Sequence, residues 1–248
     1  MEEKEIKILY LYPDMLELYG DYGNIQVLKY RMEKRNIKCK IDRYSIGDAK
    51  PNFCEYDIVF AGGGADNEQS ILAEDLVKYS EEIKLAVQKG VFFLLICGAY
   101  QLFGKYYKGV EGNIIPGLEI FNYYTEAIEN RKKRCIGNIV IEANLNGEKT
   151  KIIGFENHGG QTFDIDTPFG DVLFGNGNKF GDSKEGFFLK NVIATYLHGP
   201  LLSKNPELAD YIISHCLNRK YNEEIKLEPL NDDFENLCRK QLLDNFLN

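Results

Sequence analysis

What this chain lacks narrows it first. Its six cysteines, Cys39, Cys54, Cys97, Cys135, Cys216 and Cys238, contain no CxxC pair and no regular spacing. Neither a zinc pattern nor a disulfide framework is therefore expected. No apolar run approaches the length that spans a bilayer, and Met1-Glu2-Glu3-Lys4-Glu5 is too charged for a signal peptide. A reduced, cytoplasmic protein is the expectation. The net charge is −8, and the one basic cluster, Arg131-Lys132-Lys133-Arg134, is too small for a nucleic-acid surface. No nucleic-acid partner is expected. GxxxxGK[ST] occurs nowhere, so the chain holds no phosphate loop of that kind, and no internal repeat or low-complexity tract is visible.

What is present reads as an α/β domain. The 248 residues, 44% of them hydrophobic, suffice for one core without covalent staples. Ile6 to Leu11, Lys38 to Tyr44 and Tyr56 to Phe60 predict strands. Asn24 to Arg35 predicts an amphipathic helix with Ile25, Leu28 and Met32 inward, and Asn67 to Lys89 predicts further helix. Strand and helix thus alternate over the first hundred residues, the signature of a doubly wound, mostly parallel, flavodoxin-like sheet. The pattern then changes. Ile136 to Ala143 and Lys151 to Phe155, set among Gly and Asn turns, predict an added antiparallel segment. Val192 to Leu197 resumes the buried strands, and Pro206 to Leu217 predicts a closing helix. After Tyr221, seven Asp or Glu stand against three Lys or Arg, with Leu237, Leu242, Leu243 and Phe246 predicting one apolar helix face.

The most informative stretch is Val91-Phe92-Phe93-Leu94-Leu95-Ile96-Cys97-Gly98. Six apolar residues in a row predict a strand buried on both faces. It stops at Cys97, and Ala99 to Lys105 predicts the start of a helix. A thiol on such a tight turn is pushed into the crevice beyond the strand ends, where open α/β sheets bind ligands. The helix N-terminus behind it favours negative charge on sulfur. Cys97 is the expected nucleophile. His198 ends the run Val192 to Leu197 in the same way, and a histidine within reach can take the thiol proton and later pass one to a leaving amine. His215 is expected to be structural, and His158, in Asn157-His158-Gly159, to line the pocket and not to act as the base. Gly62-Gly63-Gly64 also follows a strand end, so Gly63 and Gly98 are expected to offer backbone N–H groups to an oxyanion. Together these groups describe acyl transfer through a thioester.

Ile96-Cys97-Gly98-Ala99-Tyr100-Gln101, Gly62-Gly63-Gly64 and Tyr196-Leu197-His198-Gly199-Pro200 resemble the class I glutamine amidotransferases. Triad members of that superfamily follow the histidine with x-Glu, whereas Gly199-Pro200 stands here, which resembles the CobB/CobQ-like branch. Leu18 to Ile25, Tyr124-Thr125-Glu126, Arg134-Cys135-Ile136-Gly137 and Gly154 to Gly160 extend the likeness, most closely to the GatD-type glutaminase subunits of lipid II isoglutaminyl synthases.

The resemblance implies a glutamine amidotransferase domain over residues 1–221 and an acidic helical extension over 222–248. It implies that Cys97 and His198 are catalytic, that Arg134 of the R-x-x-G segment clamps the glutamine carboxylate (with Arg131 three residues earlier as the alternative), and that Gly63, Gly98 and Gln101 meet the substrate. A guanidinium suits a carboxylate because it binds it bidentately. No cofactor or metal is expected in this chain. ATP and Mg belong to the implied partner, a MurT-type, Mur-ligase-like synthetase forming a heterodimer, and contact with membrane arises only through lipid II bound by that partner. With the x-Glu acid missing, an acidic side chain from the partner is expected to orient His198. The alternatives are a glutaminase for another amidation such as a cobyrinate-type ring, a free-standing hydrolase or peptidase on the same sheet, and a non-catalytic interaction domain.

Overall fold

The computed structural model describes residues 3–247. In chain order it builds β1 (Glu5–Leu11), α1 (Tyr22–Glu33), β2 (Lys38–Tyr44), β3 (Ile58–Ala61), α2 (Asp66–Leu76), α3 (Ser80–Gln88), β4 (Phe92–Ile96) and α4 (Gly98–Leu102). Then follow β5 (Tyr106–Lys108), β6 (Ile114–Pro116), β7 (Tyr124–Ala127), β8 (Cys135–Leu145), β9 (Glu148–His158), β10 (Gly160–Phe163) and β11 (Gly170–Phe174). Last come β12 (Lys184–Glu185), β13 (Phe187–Leu189), β14 (Val192–Thr195), α5 (Pro206–Tyr221) and α6 (Asp233–Leu247).

The central sheet has the order β13-β14-β4-β3-β1-β2, parallel throughout except for β13. β3, β4 and β14 are buried at every position, which is why their sequences are unbroken apolar runs and not alternating ones. Their register sets Ala61 beside Leu95 and Ile96 beside Thr195, so the residues that leave these three strands emerge side by side at one sheet edge. Gly62 to Gly64, Cys97 and the segment ending at His198 are those residues. The sheet thus creates the crevice.

Two smaller sheets follow, β10-β7-β5-β6 and β12-β11-β8-β9. The β8–β9 hairpin pairs Cys135 with His158 at its open end and Leu145 with Glu148 at its tip. Asn146 and Gly147, both at positive φ, close it as an Asn-Gly two-residue turn does. Reciprocal backbone hydrogen bonds between Phe155 and His198 (3.1 and 2.8 Å) fasten this hairpin to the central sheet.

Two helical expectations differ. The stretch over 67–89 is two helices separated by a 3-10 turn at Val77–Tyr79. Asp75, buried near the end of α2, accepts the Tyr12 and Tyr44 hydroxyls (3.0 and 2.9 Å) and anchors the chain where it turns. The helix after Cys97 is five residues long, because Lys105 N–H already pairs with Tyr123 O at 2.8 Å as β5 begins. The C-terminal extension folds back onto the domain. Buried Arg31 donates to Asp210 on α5 (2.7 Å) and to Asp232 just before α6 (2.6 Å). Arg239 bonds Lys151 O and Glu207, and Phe246 stacks on Phe174 at 5.1 Å. Leu237 departs from the expected apolar face and is 57% exposed.

Candidate active site

Cys97 sits at φ +50°, ψ −100°, a backbone conformation that side chains with a Cβ rarely adopt. Bonds on both sides hold it there: Cys97 N–H donates to Thr195 O (2.8 Å) and Gln101 N–H to Cys97 O (3.0 Å). The strain turns the thiol out of the sheet to the floor of a cleft of about 740 Å³. Gly98 is required behind it, since a Cβ there would lie 2.9 Å from both Gly64 N and Gln69 Nε2.

His198 is fully buried beside Cys97. A Cβ on Gly63 would lie 2.8 Å from His198 Cε1 and 3.4 Å from Cys97 Cβ, so the absent side chain of Gly63 is what lets the two meet. Nδ1 of His198 is 3.2 Å from both carboxylate oxygens of Asp21, itself fully buried. Among the described residues Nε2 makes no hydrogen bond of standard geometry, and catalytic hydrogen bonds are commonly long before substrate binds. Burial works against the imidazolium, but negative charge on Cys97, then the Asp21 carboxylate, outweigh it and raise the His198 pKa to about 10. Within this chain, the acid that faces His198 is Asp21.

Gly63 departs from expectation. Its N–H donates to Asp21 Oδ2 at 2.8 Å and not into the cleft. The cleft is lined by Gly64 instead. Among the described residues, neither Gly64 N–H nor Gly98 N–H has an acceptor, which leaves these two amides for an oxyanion. Gln101 is buried in the cleft wall, but its amide is already engaged: Oε1 accepts from Gln69 Nε2 (3.0 Å) and Nε2 donates to Tyr196 OH (3.1 Å). It braces the wall, and Tyr196 OH passes the chain of bonds on to Thr162 (2.6 Å).

Arg134 stands at the mouth, exposed, with Nε and Nη2 on Asn157 Oδ1 (3.2 and 3.0 Å). Asn157 Nδ2 in turn donates to Tyr19 OH (2.6 Å), and the Tyr19 ring meets His198 edge-on at 4.9 Å. This bridge joins the two lips of the cleft. Of Arg131, the backbone forms part of the short turn Arg131–Lys133, and its side chain lies outside the described residues. His158 lines the cleft as expected, lying flat on Tyr196 (3.6 Å, 5°), and burial pushes its pKa down to about 3. His215 sits in α5 against Phe92, away from the cleft.

Asp21, Tyr19 and Asn157 are functional candidates that spacing alone does not single out. Asp21 follows a turn in which Tyr19 adopts φ +58°, far in sequence from both Cys97 and His198. The one signal available lay in Leu18 to Ile25, a segment of the family likeness that contains it.

Comparison with known proteins agrees with this geometry. Residues 7–206 match the CobB/CobQ-like glutamine amidotransferase domain. A Staphylococcus aureus protein described as lipid II isoglutaminyl synthase (glutamine-hydrolyzing) subunit GatD is 42% identical over 96% of this chain and 95% of its own length. Its namesake in Streptococcus pneumoniae is 41% identical over 92% of this chain and 86% of its own. A probable cobyric acid synthase of Methanococcus vannielii is 30% identical over 63% of this chain but only 32% of its own length. In fold, the chain is similar to a structure of PurLQS from Thermotoga maritima (TM-score 0.54, 15% identity, 89% of this chain and 100% of that one) and to a glutamine amidotransferase (0.55, 14%, 84% and 98%). With a nucleophile elbow, a buried histidine and a family match over most of its length, this chain belongs to the CobB/CobQ-like glutamine amidotransferases.

Proposed function

We propose that the chain is the glutaminase subunit of a lipid II isoglutaminyl synthase, hydrolysing L-glutamine and supplying ammonia for amidation of the D-glutamate α-carboxyl in the lipid II stem peptide. The observation that carries the reading is Cys97 at the floor of a cleft with Arg134 at its mouth, and His198 buried beside the cysteine with its Nδ1 on Asp21. The two relatives named as GatD subunits, matched nearly end to end, favour lipid II over a cobyrinate-type acceptor.

Arg134, released from Asn157, would take the glutamine α-carboxylate bidentately and leave the side-chain amide at Cys97. The sulfur attacks the amide carbon, forming a C–S bond, while Gly98 and Gly64 N–H groups face the oxyanion. His198 Nε2 hands its proton to the leaving nitrogen as the C–N bond breaks, and ammonia departs. Neutral His198 then takes a proton from water, whose oxygen adds to the thioester; the C–S bond breaks and glutamate is released. Asp21 holds Nδ1 throughout and stabilises the imidazolium. Gln101 supports the cleft wall through Tyr196.

Amidating a carboxylate needs activation by ATP, which we assign, with Mg, to a Mur-ligase-like, MurT-type synthetase in a heterodimer with this chain. Lipid II would be held by that partner, placing the complex in the cytoplasm at the membrane surface. No helix among the described residues is long and apolar enough to cross a membrane. The acidic extension over 222–248 would be an appendage to the amidotransferase domain over 1–221. Ammonia release from glutamine, measured with the chain alone and with the synthetase, tests the reading. Turnover of glutamine, with amidated lipid II formed only when both proteins and ATP are present, is expected; no ammonia under either condition would overturn it.

A further inference from the structure

Behind the part of the cleft that His158 lines, three potential ligand atoms converge. Cys135 Sγ, a Glu156 carboxylate oxygen and a ring nitrogen of His158 all lie within 4.8 Å of one another, and all three residues are buried. The hairpin places them together. Cys135 pairs directly with His158 across β8 and β9, and Glu156, two residues earlier, shares the His158 face of β9.

Each of the three is held from behind. His158 Nδ1 lies 2.7 Å from Gly160 O, which puts the proton on Nδ1 and leaves the Nε2 lone pair facing inward. That Nε2 is buried with no hydrogen-bond partner among the described residues, 4.0 Å from Glu156 Oε2. Glu156 Oε1 accepts from Asn176 N (2.9 Å) and Nδ2 (2.8 Å), and Oε2 from Gly177 N (3.0 Å), so the carboxylate is fixed while Oε2 keeps a free lone pair. Gln161 Nε2 donates to Cys135 Sγ at 3.8 Å. A histidine anchored on a carbonyl, a hydrogen-bonded carboxylate and a thiol with an amide donor are the outer supports that metal ligands carry. His158 Nε2 has no hydrogen-bond partner among the described residues, and a cation between the three groups would engage its lone pair.

We propose that Cys135, Glu156 and His158 bind a divalent cation of the zinc class, with water from the cleft as fourth ligand. Sulfur, imidazole and carboxylate together suit zinc, and bonds of about 2.0–2.3 Å set tetrahedral neighbours roughly 3.3–3.8 Å apart, so the groups need to close by only about 1 Å. Binding releases the Cys135 thiol proton to solvent; His158 Nε2 is already free. The occupied site would clamp the open ends of β8 and β9, the ends that present Arg134 and Asn157 at the cleft mouth. CxxC spacing does not reveal it because the ligands come from two strands.

The test uses the full chain, stripped with a chelator and titrated with Co²⁺ alone, then with Zn²⁺ alone. One cobalt per chain with a thiolate-to-cobalt charge-transfer band is expected, displaced by zinc and present also in Cys97→Ser. The band should vanish in Cys135→Ser, and affinity should fall at least about 10-fold in His158→Ala and in Glu156→Gln. Zinc should raise the melting temperature of the wild type but not of Cys135→Ser. No saturable cobalt binding, a band that survives Cys135→Ser, or one lost with Cys97→Ser would each overturn the proposal.

Discussion

Nδ1 of His198 is shared between the two carboxylate oxygens of Asp21, 3.2 Å from each, and the same carboxylate receives the N–H of Gly63 at 2.8 Å. One buried acid therefore orients the histidine and fixes the glycine loop beside it. Asp21→Asn should keep the fold and lower kcat for glutamine by about 10²- to 10⁴-fold, as expected when the imidazole loses its orienting acid. Because Asp21 also helps raise the His198 pKa, the alkaline limb of the kcat profile should move to lower pH in this variant. An unchanged limb would transfer the orienting role to the partner.

Gly63 lets His198 and Cys97 come together by having no side chain. Gly63→Ala should put a methyl against His198 Cε1, cutting turnover by about 10²-fold or more and lowering thermal stability as the buried ring gives way. Steady-state rates and melting curves on the same preparation check this.

Cys97→Ala should abolish hydrolysis and leave the fold, and a glutamine-analogue electrophile should label Cys97 alone among the six cysteines. Mass spectrometry of the labelled chain reads the position; His198→Ala should lower the labelling rate by orders of magnitude, because the thiol loses its proton acceptor.

Arg134 is exposed and bonded to Asn157 in the free form, so its replacement should cost binding and not stability. Arg134→Ala is expected to raise KM for glutamine by roughly 10- to 100-fold, the value of a charge-assisted pair of about 1.5–3 kcal/mol, and lysine should restore only part of it. Asn157→Ala, which frees Arg134 but removes its support, should have a smaller effect on the same constant.

Glu185, fully buried, accepts the Thr195 hydroxyl and Tyr196 N–H, and burial pushes its pKa up to about 8. A folded-state pKa above the unfolded value of 4.5 means the contribution to stability is complete below about pH 4.5 and lost as pH rises through about 8. Wild-type melting temperature should therefore fall on going from about pH 6 to about pH 9. Glu185→Gln, neutral throughout, should fall less over the same range. Parallel curves for the two proteins would count against the raised pKa.

Local physical chemistry made the central sheet readable in one dimension. Strands covered on both faces must be apolar at every position, so β3, β4 and β14 stand out as unbroken runs, and Cys97, directly after β4, and His198, shortly after β14, followed from that alone. The β8–β9 hairpin likewise showed in its Asn-Gly turn and flanking strands. Residue 21 offered no such periodicity. A carboxylate in a short turn is chemically ordinary until β1 and β14 are placed in one sheet and Asp21 arrives at Nδ1 of a histidine 177 positions away. The direction of the Gly63 N–H was equally hidden, since it depends on the Asp21 carboxylate that accepts it and on Ala99 N–H donating to Gly62 O of the same peptide. Sequence determined which strands are buried and which nucleophile sits at their edge, because burial and turn chemistry are local demands on residue type. Tertiary structure decided the acid behind the histidine, the amides left for the oxyanion and the convergence of Cys135, Glu156 and His158, because each depends on distances between segments that are set only when the sheets close.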